Sequence, residues 1–138
     1  MNSSPSAGTT LISAIIGDPV ECVPADATVA DVAAALVARE VGAVVVGDNK
    51  LPTAIVSERD VVRVVATGKD LAGTPALDVA STKLVSCTAE ATVGEVAVRM
   101  MDRYIRHILV ERDGVLIGIV SARDLLGVYS ADTDLDSV

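Results

Sequence analysis

The chain has 138 residues, of which 51% are hydrophobic, with no Phe or Trp and only two Tyr. Nineteen acidic against eleven basic residues give a formal charge of −8, the wrong sign for a protein that gains affinity by neutralising nucleic-acid phosphates. The apolar runs are far shorter than the roughly 20 residues of a membrane span, and MNSSPSAG lacks a basic region followed by an apolar stretch. A soluble, cytoplasmic protein is therefore expected, with no membrane partner and nucleic acid a poor fit.

Residues 1–10, rich in Ser, Thr, Gly and Pro, read as a disordered end. Leu11 to Ile16 reads as a short helical lead-in that places the strand after it. Val20 to Val23 is extended, and Thr28 is a plausible N-cap for a helix over Val29 to Glu40, where Val29, Val32, Ala33, Leu36 and Val37 share a face. Ala43 to Val46 reads as a buried strand, Asp48-Asn49 as a turn, and Thr53 to Val56 as the second strand of a hairpin. Ser57 caps a helix over Glu58 to Thr67 that Gly68 ends. Residues 69–82 form a linker containing a second lead-in, Pro75 to Ala80.

From here the chain repeats itself at an offset of 64 residues, without a gap, as when Thr28-Val29 returns as Thr92-Val93 and Ile55-Val56-Ser57 as Ile119-Val120-Ser121. The second copy runs through Leu84 to Thr88, a helix over Val93 to Tyr104, Ile108 to Val110, the Asp113-Gly114 turn, Leu116 to Val120 and a last helix from Ala122. Residues 131–138 read as an acidic tail. The expected fold is α/β (α+β): 11–68 and 83–130 are two copies of strand, helix, strand, strand, helix, and each lead-in belongs to the copy it precedes.

Chemistry concentrates at one place in each copy. Ile55 to Asp60 and Ile119 to Asp124 put a hydroxyl and a carboxylate three residues apart at a strand-to-helix junction. Such a pair caps a helix; the same geometry offers free amides to a phosphate and a carboxylate to ribose hydroxyls. One His, and Cys22 and Cys87 without CxxC spacing, support neither a metal site nor a disulfide framework. No G-x-S-x-G or Walker-type loop is present, so catalysis is not expected and no cofactor is required. Arg39 and Arg103, with Glu40 and Asp102 beside them, read as a solvated face.

The two junctions resemble the G-h-x-[ST]-x-x-D motif of the CBS domain, and the pair of repeats, over about residues 11–130, resembles a Bateman module. That resemblance implies two repeats packed sheet to sheet with pseudo-twofold symmetry. It also implies two clefts that take AMP, ADP, ATP or S-adenosylmethionine as a regulatory ligand, and an unknown target protein that reads the bound state. By the same resemblance Ile55, Ser57, Arg59 and Asp60 face Leu84, Val85 and Ile105, with Arg106 and His107 adding charge. Ile119, Ser121, Arg123 and Asp124 then face Val20, Cys22, Val41, Gly42 and Ala43. Ala54 stands where the family prefers Gly, which the second copy keeps as Gly118, and the added methyl is expected to narrow the approach of a ligand.

A mean hydropathy of +0.52 is high for so small a domain and points to apolar surface covered by a partner, most simply in a homodimer. Met100 and Met101, adjacent on one helix, must point in different directions. A nucleotide-free dimerisation module, with Ser and Asp serving only as caps, is the alternative reading.

Overall fold

The computed structural model describes residues 7–17 and 19–134, with side chains to residue 131. The rest of the expected disordered end and of the acidic tail lies outside the described residues. The chain divides into two compact units, Pro19–Leu84 and Met1–Asp18 with Val85–Val138.

The first-repeat unit, residues 19–84, holds β1 (Cys22–Val23), α1 (Val29–Arg39), β2 (Ala43–Gly47), β3 (Pro52–Ser57) and α2 (Glu58–Ala66). Its sheet has the order β1-β2-β3, β1 parallel to β2 and β2 antiparallel to β3. The apolar period sets the packing: Val32 and Leu36 of α1 bury against Val44, Val46, Ala54 and Val56 of the sheet. Thr28 closes the helix start with a reciprocal capping box, its amide donating to Asp31 Oδ2 at 2.9 Å and its hydroxyl accepting from the Asp31 amide at 3.2 Å. Thr28→Ala leaves that amide without a partner and is expected to cost about 1 kcal/mol, measurable by urea denaturation. α1 ends one residue before the expected Glu40, which turns left-handed at φ 53° and sends its amide back to Leu36.

The second-repeat unit holds β4 (Ser86–Thr88), α3 (Val93–Arg103), β5 (His107–Arg112), β6 (Val115–Ser121) and α4 (Ala122–Asp134). The sheet order β4-β5-β6 reproduces the first, parallel then antiparallel. In β6 burial alternates along the whole strand, as a half-buried strand requires. Asp113 and Gly114, at φ 53° and 78°, form the tight hairpin turn. Met100 is buried and Met101 is 75% exposed, as their adjacency requires. The last helix continues through residues 131–134, which composition had assigned to the tail.

The lead-ins do not follow the expected assignment. Residues 7–16 belong to the second-repeat unit, and Pro75 to Ala80 to the first-repeat unit, so the two copies exchange them. The amides of Ile12 and Ser13 donate to the carbonyls of Ala91 and Ala89, and the Val93 amide donates to Thr10. Ile12, fully buried, sits in the core with Val96, Ile108 and Val120. At the equivalent place, the Ala76 amide donates to Ala27 and Ser81 exchanges two backbone bonds with Ile55. Residues 7–9, expected to be disordered, form a 3-10 turn with Ala7 buried. The reason is contact chemistry: a short segment with one buried apolar side chain is stable only where backbone partners and a core slot await it.

Candidate functional site

Each sheet delivers its last strand directly into a helix, and the Ser–Asp pair sits at that corner. In the first-repeat unit Ser57 ends β3 and caps α2. Its amide donates to Asp60 Oδ2 at 2.8 Å and its hydroxyl to the same oxygen at 3.1 Å, while the Asp60 amide reaches back to Ser57 Oγ at 3.4 Å. In the second-repeat unit the Ser121 amide donates to Asp124 Oδ2 at 2.8 Å and the Asp124 amide to Ser121 Oγ at 3.0 Å. Both pairs therefore cap their helices, as the local pattern requires.

Capping consumes only part of the polar capacity. In each carboxylate one oxygen, Oδ2, takes the serine, leaving Oδ1 turned elsewhere. Asp60 Oδ1 lies 3.9 Å from the Arg63 guanidinium, a contact that the i,i+3 spacing made findable and the sequence reading overlooked. The first amide of each helix is also satisfied: Glu58 donates to the Gly42 carbonyl at 2.9 Å and Ala122 to the Arg106 carbonyl at 2.8 Å. The second amides, of Arg59 and Arg123, have no acceptor among the described residues. Each corner thus offers one helix-terminal N–H, one exposed arginine and one carboxylate oxygen beyond the cap, which Arg63 shares at the first corner, a set suited to a phosphate and a sugar hydroxyl.

The remaining candidates divide between the units. Val20, Cys22, Val41, Gly42, Ala43 and Leu84 lie in the first-repeat unit with Ile55, Ser57, Arg59 and Asp60, and Ala43 pairs across the sheet with Ser57. Val85, Ile105, Arg106 and His107 lie in the second-repeat unit with Ile119, Ser121, Arg123 and Asp124, and His107 pairs with Ser121. Arg59, Arg106 and Arg123 are exposed; Val20, Val41, Ile55, Leu84, Val85, Ile105 and Ile119 are half-buried. Arg39 pairs with Glu21 at 3.2 Å rather than with its neighbour Glu40. Burial, with Asp48 and Glu21 nearby, raises the Cys22 thiol above its ordinary range, and burial likewise raises Cys87. Both are therefore weak nucleophiles.

The position of Ala54 and Gly118 is covered by a lead-in. A Cβ on Gly118 would meet Ile16 Cγ2 at 2.8 Å, and Ala54, fully buried, belongs to the cluster that Ala80 covers. Because Ala80 is the 64-residue equivalent of Ile16, one copy pairs Gly with Ile and the other Ala with Ala. The added methyl is matched by a smaller neighbour. A separate shallow cavity of about 300 Å³ in the second-repeat unit, lined by Cys87, Glu90, Glu95, Arg99 and Glu111 among others, contains none of the corner residues. Among the described residues no helix is long and apolar enough to cross a membrane.

Comparison with known proteins agrees with this geometry. The family model of the CBS domain matches residues 12–67 and again 76–131. A solved CBS domain protein from Pyrobaculum aerophilum, complexed with AMP, is 31% identical, covers 88% of this chain and 98% of its own, and superposes with a TM-score of 0.75. The hexameric CBS-CP12 protein from bloom-forming cyanobacteria is 25% identical over 94% of this chain and 77% of its own, with a TM-score of 0.80. An uncharacterised protein of Methanopyrus kandleri is 33% identical over 83% of this chain and 57% of its own length. The chain spans about half the length of the curated relatives it matches.

Proposed function

The chain belongs to the CBS domain family, with two copies in tandem, and from that premise we propose that it is a regulatory module that binds an adenine nucleotide and signals to a partner protein. The carrying observation is that both capping boxes leave a helix-terminal amide open, at Arg59 and at Arg123, and use only one oxygen of the neighbouring carboxylate, although Arg63 shares the other oxygen of Asp60. The amide and arginine would hold a phosphate, and Oδ1 of the capping aspartate would accept from the ribose hydroxyls. The AMP complex of the Pyrobaculum protein supports an adenine nucleotide. In this reading the chain performs no catalysis; the target protein uses the bound state.

Calorimetric titration with AMP, ATP and S-adenosylmethionine tests the proposal. Micromolar binding of AMP is expected, and Asp60→Asn or Asp124→Asn, which retain a capping oxygen but lose the charge, should weaken it at least about tenfold at the occupied corner, roughly 1.4 kcal/mol. Absence of heat with all three ligands from folded protein would reject nucleotide sensing and leave the boxes as caps alone.

We propose further that the protein is a homodimer held by helix faces. Val37, Val62 and Val65 on one helix pair and Met101 and Leu126 on the other stand more than half exposed. That much outward apolar surface on a short chain is the mark of a covered face. Sedimentation of the wild-type protein at twice the 14.1 kDa chain mass is the expected result.

A further inference from the structure

The two corners are built alike, yet they keep different groups free. At the 64-residue offset Glu58 corresponds to Ala122, Arg63 to Gly127 and Gly42 to Arg106. In the first corner Glu58 folds back over the residue before β2: a Cβ placed on Gly42 would lie 3.0 Å from Glu58 Oε1. A carboxylate therefore stands at the start of α2, where a phosphate would meet like charge. The second corner carries only the Ala122 methyl at that position.

The aspartates differ in the same sense. Asp60 Oδ2 takes both the amide and the hydroxyl of Ser57, and its Oδ1 is shared with Arg63. Asp124 Oδ2 takes the Ser121 amide alone, and Asp124 makes no ion pair among the described residues. The Ser121 hydroxyl accepts from the Asp124 amide but donates to no group among the described residues, so its proton remains available to a phosphate. The Asp60 side chain is only 18% exposed, whereas Asp124 is exposed. The charges of Glu58, Arg59, Asp60 and Arg63 cancel in the first corner. Those of Arg106, Arg123 and Asp124 leave the second corner positive, Arg106 belonging to it by strand register, since its carbonyl takes the Ala122 amide.

We infer that the second corner takes the nucleotide and that Glu58 and Arg63 close the first to it, so that each chain binds one AMP. This rests on the nucleotide reading above and specifies which corner serves it. A nucleotide entering the first corner must displace Glu58 from the approach to the Arg59 amide, compete with Arg63 for Asp60 and do without the Ser57 proton. The Arg63 contact is long and exposed and by itself obstructs little. Glu58 is the larger obstacle, because it repels any phosphate brought to the start of the helix. At the second corner none of these three groups opposes the ligand.

The test is calorimetric titration of the full chain with AMP, urea denaturation confirming that each variant is folded. The wild-type protein should bind one AMP per chain, and Asp124→Asn should weaken binding at least about tenfold. Two exchanges of side chains then separate the corners. Glu58→Ala with Arg63→Ala bares the first corner, alanine being kept at both positions to preserve the helix, and a second AMP per chain is expected. Ala122→Glu with Gly127→Arg builds the first corner's side chains into the second, where a Cβ at Gly127 meets nothing within 4 Å. That variant should lose affinity at least about tenfold. Two AMP per wild-type chain, wild-type affinity in Asp124→Asn or in Ala122→Glu with Gly127→Arg, or a single AMP in Glu58→Ala with Arg63→Ala would each overturn the assignment. Absence of heat from the folded wild-type protein instead rejects the nucleotide reading on which the assignment rests.

Discussion

Ile12→Ala is expected to destabilise the protein by about 3 kcal/mol, and to do so in the second repeat, although Ile12 precedes the first. The side chain is fully buried among Val96, Ile108 and Val120, and truncating a buried isoleucine removes its transfer free energy and leaves a cavity, roughly 2–5 kcal/mol in all. Against a total stability of about 5–15 kcal/mol that is a large fraction. Urea denaturation gives the magnitude, and native-state hydrogen exchange gives the location. Protection should fall first in the β5–β6 hairpin, with β2–β3 less affected. Loss confined to β2–β3 would mean that the lead-in packs on its own repeat after all.

The second large effect comes from Gly118. Gly118→Ala places a methyl 2.8 Å from Ile16 Cγ2 and 3.0 Å from its Cβ, and overpacking of this kind costs about 1–3 kcal/mol. Adding Ile16→Ala should relieve the clash by reproducing the pair that the first repeat carries as Ala54 and Ala80. The double variant is then more stable than the sum of the two single losses implies, by about 1 kcal/mol or more, since residues in contact are not additive. Strict additivity would show that the two side chains do not meet. The cycle also separates two explanations of the glycine. If it served the approach of a ligand, Gly118→Ala would lower AMP affinity at unchanged stability.

The elements and their order were legible because their determinants lie close together in sequence. Thr28, Ser57 and Thr92 each cap the helix that follows, and the alternation along β6 marks its buried face. The Ser57–Asp60 and Ser121–Asp124 pairs were legible for the same reason, since a capping box spans only three residues. Less visible was what each corner leaves over. The open amides at Arg59 and Arg123 depend on Gly42 and Arg106 bringing a carbonyl to the residue before each, and that comes from strand register. Arg63 was within reach of the pattern, at i+3 from Asp60.

By itself the sequence determined the duplication, the secondary structure of each copy, the position of the two polar corners and the presence of surplus apolar surface. All of these follow from side-chain types at local spacings. Only the tertiary structure decided that the lead-ins change places and that Gly118 is small because Ile16 lies on it. Residues 12 and 13 are held by the backbone carbonyls of Ala91 and Ala89, groups that every residue possesses, so no side-chain pattern announces the partner. The fit of Ile12 into its core slot depends on volumes supplied by residues more than eighty positions away. Such a choice between two similar repeats is made by packing, where a difference of one methyl group is felt.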